Sequence, residues 1–125
     1  MSGVFINYTN HPWQDWSAVQ IAAAERYGPI VDMPFPRIAA NAAESDIAQL
    51  VDQAAGEIVR LCPAAVLCQG EFSFTYQLVS RLQGLGILVL SACSDRVVCE
   101  HRDEDGVTHR ISEFRFVQFR AYQKG

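Results

Sequence analysis

The stretch that most limits what this chain can become is Ala64-Ala65-Val66-Leu67-Cys68-Gln69-Gly70-Glu71-Phe72-Ser73-Phe74-Thr75. It opens as a short apolar run with the character of a buried strand. Gly70 then turns the chain, and Tyr76-Gln77-Leu78-Val79-Ser80-Arg81-Leu82 follows at helical spacing. A strand therefore ends, turns, and feeds a helix that carries hydroxyls in its first turn. In open α/β sheets ligands bind beyond the carboxyl ends of the strands. The free N–H groups of a helix start favour an anion there.

The rest of the chain repeats that unit. Val4-Phe5-Ile6-Asn7-Tyr8 reads as a first strand, closed by the turn Thr9-Asn10-His11-Pro12. Ser17 with Gln20 three residues on is a capping box, which predicts a helix from Ser17 that stops at Tyr27-Gly28. Ile30-Val31-Asp32-Met33 is a short second strand, and Pro34-Phe35-Pro36 cannot continue it as an interior strand. A second helix is predicted from about Ser45 to Cys62-Pro63, with Ile47, Leu50, Val51, Ala54, Ile58 and Leu61 on one face. The third strand and helix are the opening stretch, ended by Gly84-Leu85-Gly86. Residues 87–93 form a fourth, apolar strand, followed directly by Ser94-Asp95-Arg96 as a polar loop.

This βαβαβαβ alternation predicts a parallel sheet with helices on both faces. The last third predicts a hairpin: a strand at 97–102, an Asp-Gly turn at Asp103-Glu104-Asp105-Gly106, and a long return strand at 108–122. Arg115 and Arg120 lie five apart on that strand, so alternation places them on opposite faces. The expected fold is an α/β, Rossmann-like three-layer sandwich in which the antiparallel hairpin completes a mostly parallel sheet.

The length, 125 residues, suits one domain spanning 1–125. No apolar run approaches the roughly eighteen residues of a membrane span, and Met1-Ser2-Gly3-Val4 lacks the features of a leader. A cytoplasmic protein without a membrane partner is expected. The net charge of −4 speaks against bulk attraction to duplex nucleic acid. Every basic residue except Lys124 is arginine, which suits bidentate phosphate contacts. Cys62, Cys68, Cys93 and Cys99 form two C-x5-C pairs, a spacing unlike zinc sites, so buried reduced thiols and no metal are expected.

If the sheet is parallel, three polar loops converge on one edge: Thr9-Asn10-His11, residues 69–75, and Ser94-Asp95-Arg96. Gly70 either lets the backbone approach a phosphate or supplies a positive φ. Ser73 and Thr75 can donate to an anion or cap the helix. Phe72 and Phe74 can stack on bases, one of them being core. Glu71 binds an amine or sugar hydroxyl, acts as a general base, or complements the helix dipole. His11 is the proton-transfer candidate and Arg96 the group to neutralise phosphate, with a salt bridge to Asp95 or Glu100 as its plainer role. Neither the nucleotide-hydrolase phosphate loop nor G-x-G-x-x-G is present.

Together, Asn10-His11-Pro12, residues 69–76, Ser91 to Arg96, and the terminal Phe-x-Phe-Val-x-Phe-Arg-x-Tyr at 114–122 resemble small CRISPR-associated proteins, stand-alone relatives of the CRISPR-associated Rossmann fold (CARF-like). The resemblance implies a homodimer with a cyclic oligoadenylate bound across its two-fold axis. It implies a ring nuclease that needs no cofactor: a ribose 2′-hydroxyl attacks the neighbouring phosphodiester and leaves a 2′,3′-cyclic phosphate. On that reading His11, Glu71 and Arg96 carry the reaction. Thr9, Asn10, Gln69, Gly70, Phe72, Ser73, Phe74, Thr75, Ser94 and Arg120 surround the ligand. A non-catalytic sensor or sponge and an unrelated small α/β phosphoesterase are the alternatives. Glu71 departs from a simple phosphate loop, because a carboxylate there repels phosphate.

Overall fold

The computed structural model describes residues 3–124. Met1 and Ser2, in the segment expected to carry no leader, lie outside the described residues, as does Gly125. In chain order the elements are β1 (Val4–Tyr8), α1 (Ala18–Glu25), β2 (Ile30–Asp32), α2 (Glu44–Arg60), β3 (Pro63–Cys68), α3 (Phe72–Gly84), β4 (Val89–Arg102) and β5 (Thr108–Ala121). A single 3-10 turn, Trp13–Asp15, precedes α1. The strands form one sheet in the order β2-β1-β3-β4-β5. The first four are parallel, and β5 runs antiparallel to β4. This is the mixed α/β sheet that the alternation predicts.

Local chemistry accounts for most of the boundaries. The Ser17 hydroxyl accepts the Gln20 N–H at 3.3 Å and starts α1. At the start of α2, the Asp46 carboxylate accepts the Ala43 N–H at 3.0 Å, and Glu44 adds negative charge to the first turn. Ile47, Val51, Ala54 and Ile58 are buried, as their spacing predicts. Leu61 is not: it lies beyond the end of the helix and is exposed, and Ala55 is buried in addition. Gly86 ends α3 with φ +78°, and Gly106 turns the hairpin with φ +80°. The Asp103 carboxylate accepts the N–H groups of Asp105 and Val107 in that turn, at 3.0 and 2.9 Å.

Alternation along the strands sends side chains to two cores. Ile6, Tyr8, Val66, Cys68 and Val89 pack under α2 and α3. Phe5, Ala65, Leu67 and Leu90 pack with Ala24 of α1, Trp16 and Phe119. Among the described residues no helix is long and apolar enough to cross a membrane.

The fourth strand departs from expectation. Residues 94–96 are not a loop; β4 runs on without a break to Arg102. It pairs with β3 only at Val66↔Val89 and Leu67↔Leu90. Beyond that it leaves the sheet with β5 as a two-stranded arm, and nearly every residue of the arm is exposed. The register slips at Cys93/Ser94: Cys93 faces Gln118, and Ser94 faces Phe116. Val117 is therefore an extra residue, a β-bulge. The bulge overturns the expectation for the two arginines. Arg120 faces Ser91 and Arg115 faces Asp95, positions four apart on β4, so both point to the same side.

All four cysteines are free thiols, but only Cys68 is buried; Cys93 and Cys99 are half-buried, and Cys62 is exposed. Burial pushes the Cys68 thiol up to about 12, against a smaller lowering by the Thr75 hydroxyl, so it stays neutral and packs as a small apolar group.

Candidate functional site

Beyond the carboxyl ends of β1 and β3 the surface opens into a cleft of about 1100 Å3. The strand order reverses at this point, because β2 lies on one side of β1 and β3 on the other. Connections leaving such a pair diverge and leave a crevice. The early departure of β4 from β3 widens it. Thr9, Asn10 and His11 line the cleft from the turn after β1, and Leu67, Gln69 and Gly70 from the end of β3. The start of α1 contributes Asp15, Trp16, Ser17 and Gln20, and the arm contributes Ala92, Ser94, Phe114 and Phe116.

One buried amide fixes the turn after β1. Asn7 is only 1% exposed. Its Nδ2 donates to the His11 carbonyl and to Asp32 Oδ1, each at 2.8 Å. Its Oδ1 accepts the Thr9 hydroxyl at 2.8 Å, and that same hydroxyl accepts the His11 N–H at 3.2 Å. Asp32 Oδ1 also accepts the Trp13 N–H at 3.2 Å. Buried polar groups need partners, and here donors and acceptor are all used. The turn is thereby held while the exposed His11 imidazole makes no hydrogen bond among the described residues. Asn7 and Asp32 were not among the expected site residues. The available signal was a polar residue inside an apolar strand.

The end of β3 is held differently. Gln69 Oε1 accepts the Ala92 N–H at 2.7 Å, bridging the gap that opens as β4 departs. That bond leaves the Gln69 NH2 as a donor at the cleft. Gly70 does not have the positive φ that was one of its two expected roles. A Cβ at this position would overlap the Phe35 ring, so the glycine makes room for a side chain of the Pro34-Phe35-Pro36 segment.

The start of α3 carries its own carboxylate. Glu71 is its N-cap: the carboxylate accepts the Phe74 N–H at 2.7 Å and the Ser73 hydroxyl at 2.8 Å. The bond from Phe74, then that from Ser73, hold Glu71 below the usual carboxylate range. Of its three expected roles the structure supports helix complementation, and Ser73 is occupied as its partner. A depressed folded-state pKa means that the cap's stabilisation is complete above the unfolded pKa and is lost as pH falls through the lower folded value. Glu71→Gln should therefore melt below wild type at neutral pH, and thermal melts should show the gap closing below about pH 4.

The remaining expectations divide. Phe74 is the core member of its pair, fully buried against Tyr8 and Phe35, so it cannot stack on a ligand. Phe72 is 91% exposed at the helix start and stands outside the cleft. Thr75 Oγ1 is buried and has no conventional hydrogen-bond partner among the described residues. Ser94 lines the cleft, but from a strand. Arg96 lies outside the cleft lining, on the arm. Its guanidinium donates to the Ser112 hydroxyl at 3.0 and 3.2 Å, and it pairs with neither Asp95 nor Glu100. Arg120 pairs with Ser91 on the face opposite the cleft's aromatic rings, outside the lining. Trp16, Phe114 and Phe116 were missed, because only the tertiary fold brings the arm beside α1. Trp16 stacks edge-on to Phe5, with centroids 6.3 Å apart, and Phe116 packs on Phe119 at 4.8 Å.

Among the described residues no group of three His, Cys, Asp or Glu side chains could hold a metal ion. What converges is a polar turn, one amide donor, the first turn of α1 with its free N–H groups, and three aromatic rings. Such a set can hold a flat, polar-edged ligand. Neither the curated proteins nor the solved structures give a match to this chain. A family match covers residues 3–120, almost the whole described fold including cleft and arm, and the chain therefore belongs to the family described as Uncharacterized protein MJ1673 family.

Proposed function

We propose that this chain is a Rossmann-like, CARF-like domain that binds a cyclic oligoadenylate in the cleft and cuts it. The observation that supports this most is the pairing, in one cleft at the strand-order reversal, of aromatic rings with hydrogen-bonding groups. Trp16, Phe114 and Phe116 offer faces for adenine stacking. Asn10 and the Gln69 amide offer edge contacts to base or ribose. Free N–H groups at the start of α1 take over the phosphate role first expected of α3. His11 stands at the cleft without a competing partner and is placed to take the proton from a ribose 2′-hydroxyl. The oxygen then attacks the adjacent phosphorus, the 5′-oxygen leaves and is protonated, and a 2′,3′-cyclic phosphate and a 5′-hydroxyl remain. Holding the ribose in line supplies much of the acceleration. A symmetric ring fits a two-fold homodimer, in which each half-site repeats.

The decisive experiment incubates the protein with cyclic tetra-adenylate in EDTA and resolves the products by mass spectrometry. Linear fragments ending in a 2′,3′-cyclic phosphate are expected. Bound but intact ligand would make the protein a sensor or sponge. No binding of any ring size, with hydrolysis of other phosphate esters, would replace the proposal with a general phosphoesterase.

A further inference from the structure

We propose that the arm, residues 94–116, is the surface on which two copies of this chain associate, packed face to face about a two-fold axis at Val98. The inference rests on the homodimer of the function proposed above but not on its ligand. An isolated two-stranded ribbon is marginal in water and needs one face covered. Among the described residues nothing covers the arm at Val98 and Phe114, which are 50% and 76% exposed.

Its side-chain pattern selects the occupant. On the face that carries Phe114, cross-strand pairing gives three successive rows: Arg96 with Phe114, Val98 with Ser112, and Glu100 with Arg110. The bonds from Arg96 to Ser112 place both on that face. A two-fold axis across the middle row, lying in the interface, sets each β4 antiparallel over its copy. Arg96 then meets Glu100 of the second copy, twice by symmetry. Phe114 meets the second copy's Arg110, a cation–π contact, and Val98 meets Val98. A two-fold axis along the strands would instead lay each β4 over the second copy's β5, setting Arg96 on Phe114 and Glu100 on Arg110. The pattern is thus self-complementary, and only the first orientation brings Arg96 against Glu100. Phe114 also lines the cleft, so this contact joins the two clefts along the interface.

The test uses the ligand-free full chain in sedimentation equilibrium. Wild type is expected to be a dimer. Arg96→Glu alone sets Glu against Glu100 at both contacts, and Glu100→Arg alone sets Arg against Arg96. Each should weaken self-association by about tenfold or more. Mixed in equal amounts, the two variants restore both opposite-charge contacts and should form a heterodimer of wild-type strength. Circular dichroism checks that each variant is folded. A monomeric wild type overturns the arm contact and leaves the cleavage assay to judge the ligand separately. Variants that dimerise as wild type, or that fail to recover on mixing, also overturn it.

Discussion

Phe74→Ala should lower the free energy of unfolding by about 3–5 kcal/mol. The ring is fully buried, nearly parallel to Tyr8 at a centroid distance of 6.2 Å and edge-on to Phe35 at 5.2 Å. Removing it leaves a cavity under α3, between the sheet and the segment that seats Gly70. Domains of this size are stable by only about 5–15 kcal/mol, so the variant should sit near the threshold of folding. Urea unfolding should show a lower midpoint at an unchanged slope. Phe74→Leu keeps most of the volume, stays folded, and should bind cyclic tetra-adenylate as wild type does. A loss under about 1 kcal/mol in the alanine variant, or a selective loss of affinity in the leucine variant, would return Phe74 to the ligand site.

On the cleavage proposed above, His11→Ala should reduce the single-turnover rate of ring opening by about 10²–10⁴-fold while the ligand Kd changes little. The backbone of His11 is fixed at both its N–H and its carbonyl by Thr9 and Asn7, so the substitution leaves the turn in place. Only the imidazole, exposed at the cleft, is removed. Equal loss of rate and affinity would make His11 a binding residue. An unchanged rate would sink its role as proton acceptor and shift attention to in-line positioning alone.

Both predictions turn on differences between sequence neighbours and spatial neighbours. Phe72 and Phe74 are alike in composition and two residues apart, yet one is solvent-facing and the other core, because α3 turns about 100° per residue. The sequence reading correctly reserved one of the pair for the core without saying which. Glu71 was legible as a helix-start carboxylate, and capping was among its readings. Its hydrogen bonds to Phe74 and Ser73 identify it as the N-cap of α3. The residues at 94–96 read as a loop because three polar residues follow an apolar run. They are a strand whose two faces both meet solvent, so no alternation of burial marks it. The bulge at Val117 is likewise silent in the sequence, since register is set by the ladder between strands.

The amino-acid sequence by itself determined the order and type of the elements: the alternating strands and helices, the Ser17 cap, the amphipathic face of α2 and the Asp-Gly turn. Each of these is governed by contacts within a few residues, where propensity, capping and periodicity act. Only the tertiary structure decided what stands at the end of β3. Gly70 yields space to a ring thirty-five residues earlier in the chain, Gln69 bridges to the departing β4, and Asn7 ties the facing turn to Asp32. The arm that carries Phe114 and Phe116 completes the cleft from the far end of the chain. Those contacts join residues distant in sequence, and no local pattern encodes them.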